Sequence, residues 1–342
     1  MNILFIIGNG FDLNLGLKTS YEDFYKWYIE SYGSRKQNVV DFINKINEEK
    51  PNNKLWSSME LALGEYTSQL NSESTISEYI ELHDNLVEAM SSFITEQEST
   101  INLSSISKSR FNHYFITPES YADLKLEHAN QLSNFRHDHA RNANNWNLNI
   151  MSFNYSNSLE KITGFETGVE IGSFYSNGSG KITVKSIEHI HGTTDDRLII
   201  GVNSTSQVAN ESLHKTRAID YIVKPSFNAL CGEGHDKRCR DLINNANLIV
   251  LFGCSFGTSD LQWWNTIINK MKSNNAKLLI FNREYGVGFN SLAKHKKQHY
   301  LEDVKDKFIS STTVSLTAAE SRVVKNNTYV GHNTAIFSPI TD

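Results

Sequence analysis

Ile3-Leu4-Phe5-Ile6-Ile7-Gly8-Asn9-Gly10-Phe11-Asp12 is the stretch that decides the fold class. Its apolar run is continuous, not alternating. That is the pattern of a strand buried on both faces, as in a parallel sheet covered by helices. No basic region precedes the run and Gly-Asn-Gly follows it, so a first strand is expected here and not a signal peptide. Glycines directly after a strand let the backbone approach a phosphate or ribose and permit positive φ. Asp12 is placed to accept from a hydroxyl or to cap the next helix. The stretch lacks the third glycine of G-x-G-x-x-G, because Asn14 stands near that place and the next glycine is Gly16. A tight strand-to-helix turn accounts for it as readily as a nucleotide site does.

Leu148–Phe153, Ile187–His191, Leu198–Val202, Leu248–Phe252 and Lys277–Phe281 repeat the apolar pattern and are expected strands of an α/β fold with a parallel sheet. Three runs end in small or polar residues: Gly8-Asn9-Gly10, Asn154-Tyr155-Ser156 and Gly253-Cys254-Ser255. Open α/β sheets bind ligands outside the carboxyl ends of their strands, so these residues should converge on one edge.

Between about residue 21 and residue 145 the apolar period becomes helical. Ile76, Tyr79, Ile80, Leu86, Val87, Met90, Phe93 and Ile94 form one stripe, and Val39, Phe42, Ile43 and Ile46 another. The expected organisation is a sheet domain from residues 1–20 and 146–300, with a helical insertion over 21–145. Residues 301–342 form a C-terminal extension in which Thr313–Leu316 alternates. Ser77 is the expected cap of the long helix. Asp260 or Ser259 is the expected cap of a helix beginning near Leu261.

Lys and Arg number 33 against 38 Asp and Glu, a net charge of −5, and 39% of residues are hydrophobic. That composition builds a substantial core and argues against general nucleic-acid binding, which needs a basic face. No apolar run approaches the roughly 20 residues that span a bilayer. Cys231, Cys239 and Cys254 are too few for a four-cysteine zinc site and fit a reducing, cytoplasmic location.

The other candidate positions follow the strand ends. Asn154 offers one acceptor and two donors, which suits a ribose or a fixed water, although capping the next helix is the plainer role. Glu188-His189-Ile190-His191-Gly192 places two histidines on one strand face, which leaves a metal geometrically open. No third ligand stands at a supporting spacing, so no metal is expected. His191, next to a glycine, is the better general base. Ser255 and the amides of the following helix are candidates for a phosphate or ribose. Asn282 ends the last of these strands and suits an adenine or ribose edge. Cys254 has no base near it in sequence and is expected to be a small buried side chain. His137 and His139 are expected on a solvated helix face.

The order strand–GNGFD, strand–FNY, IHG, strand–GCS and strand–FN resembles that of sirtuin-like (SIR2-like) NAD-binding domains. Gly8 to Phe24, GNGFDLNLGLKTSYEDF, looks like the AbiH family of bacteriophage abortive-infection proteins. SFNYSNSLE, IHG and GCSFGTSD are similar to that family's later motifs. The resemblance covers about half of the chain. It implies a Rossmann-like sheet that binds NAD, and a part in antiphage defence. Gly8, Asn9 and Gly10 would then lie at the pyrophosphate and nicotinamide-ribose side, with Asp12 beside them. Asn154 matches the Asn of the "NxD" motif and His191 the catalytic His. Gly253 and Ser255 match the turn at the ribose, and Asn282 the adenosine-side Asn. The acid expected two residues after the motif Asn is Ser156 here, and the family's zinc ribbon is missing; both argue against deacylation.

The expected activity is therefore NAD glycohydrolysis, with NAD as substrate. An unrestrained NADase would kill its own cell, so activity should be gated by a phage-derived trigger, a partner defence protein or homo-oligomerisation. Two alternatives belong to other classes. One is a non-catalytic sensor of NAD or ADP-ribose that signals to a partner. The other is a metal-dependent nuclease toxin using His189, His191 and an acid such as Asp195.

Overall fold

The structure is a computed structural model that describes residues 1–32, 37–48, 56–103, 106–141, 145–175, 180–196, 198–230, 234–273, 276–282 and 294–331. Cys231 lies outside the described residues, as do the side chains of Val39, Ile46, Lys294 and Lys297.

The chain begins with β1 (Asn2–Ile7) and the short α1 (Gly10–Asn14). Then come α2 (Tyr21–Tyr32), α3 (Gln37–Glu48), α4 (Trp56–Tyr66), α5 (Glu73–Ser99), α6 (Lys108–Ile116) and α7 (Leu126–Arg141). The sheet resumes with β2 (Asn145–Ser152), followed by α8 (Ser158–Thr163), β3 (Glu170–Ser173) and β4 (Lys181–His189). Next are α9 (Ile219–Ile222), α10 (Lys224–Leu230), α11 (His235–Asn245), β5 (Leu248–Phe252), α12 (Leu261–Met271) and β6 (Lys277–Phe281). The described chain closes with α13 (Lys294–Ser310), α14 (Ala318–Asn326) and β7 (Thr328–Gly331).

Among the described residues the strands form one seven-stranded sheet in the order β3-β4-β2-β1-β5-β6-β7. Every pairing is parallel except the edge pair β3–β4. The chain leaves β1 toward β2 and β4 on one side and later returns to build β5, β6 and β7 on the other. β1 is thus the point where the winding reverses. The register aligns the carboxyl ends in one row. Ile7 pairs with both Ser152 and Phe252, Ser152 with His189, and Phe252 with Phe281. The residues that follow these strands therefore emerge side by side.

Both faces of the sheet are buried, which explains the unbroken apolar runs. Ile3, Phe5 and Ile7 pack with Phe111 and Phe115 of α6 and Leu159 of α8. Leu4 and Ile6 face the other way, against Trp263, Trp264 and Ile267 of α12 and Phe308 of α13. A third core joins α2, α3, α4 and α5 to Tyr155, Ile200, Val202 and Ile222.

Several local expectations change. Leu198–Val202 forms no strand; Val202 makes an isolated bridge to Val223, and Ile200 and Val202 pack into the helical core instead. β4 starts at Lys181 and ends at His189, so His191 lies beyond the strand. The long helix begins at Glu73, capped by Ser72 and not Ser77: the Ser72 hydroxyl accepts from the Thr75 amide, and Thr75 answers in a capping box. Thr313–Leu316 is irregular. After residue 301, β7 adds a strand beside β6, with Leu278 opposite Thr328.

Candidate functional site

The glycines after β1 and β5 lock two loops together. The Gly8 amide donates to Phe252 O at 2.9 Å and the Gly10 amide to Gly253 O at 3.0 Å. A Cβ on Gly8 would lie 2.6 Å from Gly253 O, and one on Gly10 2.5 Å from Gly253 Cα. Of the three, Gly253 has positive φ, at +70°. Gly8 and Gly10 are needed here for the approach of backbone to backbone, not for positive φ. Asn9 caps nothing with its side chain. Its amide donates to Thr19 O at 2.9 Å and accepts from the Thr19 hydroxyl at 2.8 Å, pinning the chain as it leaves α1.

A cavity of about 320 Å³ opens over this row of strand ends. Gly8, Asn9, Gly10, Asp12, Asn154, His191, Gly253, Ser255 and Asn282 all line it. Tyr21, Glu60 and Ile94 close it from the helical layer. Its volume is within the range of small-molecule sites, and its position at the winding reversal is where open α/β sheets bind ligands. Ser255 is exposed, and Asn282 donates to the Tyr300 hydroxyl at 2.8 Å. Burial pushes the Cys254 thiol up, which keeps it protonated and makes it a poor nucleophile. Phe256 lies in the left-handed region with φ +55°, an uncommon conformation for a bulky residue.

One lining residue is a buried carboxylate. Asp12, in α1, accepts from the Ser156 hydroxyl at 2.7 Å and the Ser158 hydroxyl at 2.5 Å. The Asn154 side chain also hydrogen-bonds to it. Burial raises Asp12 to about 6, while these donors pull it down and Glu98 pushes it further up. A carboxylate only accepts, so the group Asn154 offers it is the amide NH₂. That fixes the flip of the amide. Asn154 Oδ1 is left buried with no hydrogen-bond partner among the described residues, on a residue 4% exposed that lines the cavity.

The second polar cluster surrounds His191. Its ring lies 5.4 Å from Phe153 and 5.6 Å from Tyr155, centre to centre. Its Nε2 is 3.7 Å from Asp260 Oδ1. Asp260 heads α12 yet makes no side-chain capping bond. It accepts instead from Asn203 Nδ2 at 3.0 Å. Burial raises Asp260 to about 7, opposed by Lys224 and reinforced by Glu60. Glu60 of α4 and Lys224 of α10 form a buried ion pair at 2.5 Å, and the Tyr155 hydroxyl donates to Glu60 at 2.6 Å. The buried Tyr155 hydroxyl is pushed well up, chiefly by desolvation and then by Glu60.

The two histidines of the HxH stretch part company. His189 meets Glu160 at 2.7 Å, with Asn154 O 3.4 Å from its other ring nitrogen. Asp195 accepts from Asn157 at 2.8 Å. Among the described residues no group of three or more His, Cys, Asp or Glu is arranged to hold a metal. His137 is exposed and His139 is half-buried, its ring 4.4 Å from that of Phe135.

Sequence reasoning misses Asp260, Glu60, Lys224, Tyr155 and Asn203 as functional positions. Asp260 lies inside a motif but reads as a helix cap. For Glu60 and Lys224, 164 residues apart, no spacing signal exists. Their trace in the sequence is a charge on an otherwise apolar segment: Glu60 within Met59–Leu63, and Lys224 after Ile222-Val223.

The family model for bacteriophage abortive infection AbiH matches residues 4–282. That span runs from β1 to Asn282 and includes every residue that lines the cavity. No curated protein matches the chain. Among the described residues no helix is long and apolar enough to cross a membrane.

Proposed function

The chain belongs to the bacteriophage abortive infection family AbiH, which gives it a role in phage defence, and we propose that it acts there by hydrolysing NAD to nicotinamide and ADP-ribose. The observation that carries this reading is the buried, unpartnered Asn154 Oδ1 on the cavity wall, which His191 shares. A buried acceptor left unsatisfied costs about 1–3 kcal/mol, so its persistence argues for a ligand donor. A ribose hydroxyl or a positioned water supplies one.

In this mechanism Asn154 holds the ribose and the attacking water. The water oxygen bonds to the anomeric carbon as the bond to nicotinamide breaks, and the electron pair leaves with the nicotinamide nitrogen. His191 takes the water's proton, help of the kind that contributes about 10²–10⁴-fold. The glycine turns after β1 and β5 let the diphosphate approach the backbone, the Gly8 and Gly10 amides themselves being held by Phe252 O and Gly253 O, and Asn282 lies at the adenosine side. The Rossmann-like, sirtuin-like binding mode is part of the proposal. So is a trigger, either phage-derived or supplied by a partner or by self-association.

The test uses a phage against which the wild-type protein protects. Cellular NAD, nicotinamide and ADP-ribose are followed by mass spectrometry through infection, in wild type, His191→Ala and Asn154→Ala. NAD collapse in wild type alone supports hydrolysis. Protection with unchanged NAD sinks it and leaves the nucleotide sensor or the metal-dependent nuclease. Metal-dependent cleavage that survives Asn154→Ala would single out the nuclease.

A further inference from the structure

We infer that Asp260 is a positioning residue for His191, the two forming an imidazole–carboxylate pair whose carboxylate is held by Asn203. For its catalytic consequence the inference rests on the hydrolytic reading above; the pair itself does not.

Three observations carry it. First, Asp260 occupies the cap position of α12 but its carboxylate makes no capping hydrogen bond to that helix. An acid at a cap normally satisfies the helix's free amides, a favourable contact. Here it faces His191 Nε2 at 3.7 Å, and both residues line the cavity. Second, Oδ1, the oxygen nearest the imidazole, is held by Asn203 Nδ2 at 3.0 Å, and the Ser259 hydroxyl lies 3.4 Å from Oδ2. Asn203 Nδ2 also donates to Ser259 O, fixing the carboxylate to its own backbone. Third, the charges around Asp260 come from separate elements. Lys224 of α10 favours its ionised form, while Glu60 of α4 opposes it. Tyr155 and Cys254 also feel Asp260 electrostatically.

The chemistry follows the histidine–carboxylate logic of general-base catalysis. When His191 takes the water's proton, an ionised Asp260 offsets the new imidazolium charge and holds the ring in orientation. Burial raises Asp260 to about 7, so its ionisation falls near neutral pH and is coupled to that of the imidazole beside it. Two such groups titrate as a pair.

The experiment is an NMR titration of the full chain with labelled histidine rings, His191 being assigned by its loss in His191→Gln. In Asp260→Asn the His191 midpoint should fall by about one pH unit, since a neighbouring negative charge that favoured the imidazolium is gone. Asp260→Ser gives the same prediction if the asparagine variant fails to fold. An unchanged His191 midpoint in a folded variant overturns the inference, whatever the activity. In parallel, Asp260→Asn should lower kcat for NAD about 10–100-fold, with KM little changed and the acid limb of the pH–rate profile moved down. A loss confined to KM overturns the positioning role. If wild type consumes no NAD, the titration still decides whether the pair exists, so the two readings fail separately.

Discussion

Ser156 donates its hydroxyl to Oδ2 of Asp12 across 2.7 Å, joining residues 144 positions apart. The "NxD" resemblance places an acid at residue 156. A carboxylate does lie beside Asn154, but it comes from α1, and the serine is one of its donors. The Asp12 carboxylate thus orients the Asn154 amide, and a second acid at 156 would face it at hydrogen-bond distance.

Ser156→Asp should accordingly be costly. Two buried carboxylates in contact cannot both ionise, and breaking a buried charged hydrogen bond costs about 1.5–3 kcal/mol before repulsion is counted. Thermal unfolding should show a large drop in Tm. The double swap Asp12→Ser with Ser156→Asp restores one acid and one hydroxyl, and should recover part of the loss. A double variant no more stable than the additive expectation would refute the pairing.

The glycines should separate by cause. Gly10→Ala drives a methyl to within 2.5 Å of Gly253 Cα, backbone against backbone. Strain of that kind costs about 1–3 kcal/mol or more, and here it also spreads the cavity floor. Gly16→Ala has φ +88° but open space around its Cβ, so it should cost only about 1–2 kcal/mol and leave ligand binding intact. Denaturant unfolding of the two variants, with NAD binding by calorimetry, checks both halves.

Glu60 and Lys224 should show the asymmetry of a buried ion pair. Glu60→Leu leaves Lys224, 1% exposed, without its counter-charge and should cost about 3–5 kcal/mol. Lys224→Met alone should do similar damage. Glu60→Leu with Lys224→Met should be far milder than the sum, although Tyr155 then loses its acceptor. Additive losses in a double-mutant cycle would contradict the pairing.

Asp12 and Asp260 hold their protons up to about pH 6 and 7, against 3.8 for the free side chain. Between about pH 4 and 7 the folded state therefore binds more protons than the unfolded one, and their contribution to stability falls as pH rises through that window. Asp260→Asn removes one of the two groups. Its stability relative to wild type should be higher at pH 8 than at pH 5, by a few kcal/mol at most, since a tenfold change in proton affinity corresponds to about 1.4 kcal/mol. A difference independent of pH would mean that Asp260 is not raised by burial.

Much of the sheet was readable along the chain. Ile3–Ile7, Leu248–Phe252 and Leu278–Phe281 are apolar throughout because both faces are covered, and burial on both sides leaves no position for a polar residue. Leu198–Val202 has the same composition but packs among helices, since apolarity reports burial and not the partner. β3 and β7 were invisible for the opposite reason: each is four residues long and carries a glycine. The nine candidate site residues reached one cavity because a parallel sheet brings all its carboxyl ends to one edge.

Patterns of short range, then, specified the strands, their shared direction and the strand ends that place Asn154 and His191 at the cavity. Packing specified how those residues are charged and oriented. Asp12 reaches Ser156, Glu60 reaches Lys224, and Asp260 lies against His191. Each contact depends on closing a long loop between elements whose local sequences carry no mark of one another. Periodicity and turn chemistry act over a few residues, whereas a buried charge finds its partner only when the layers meet.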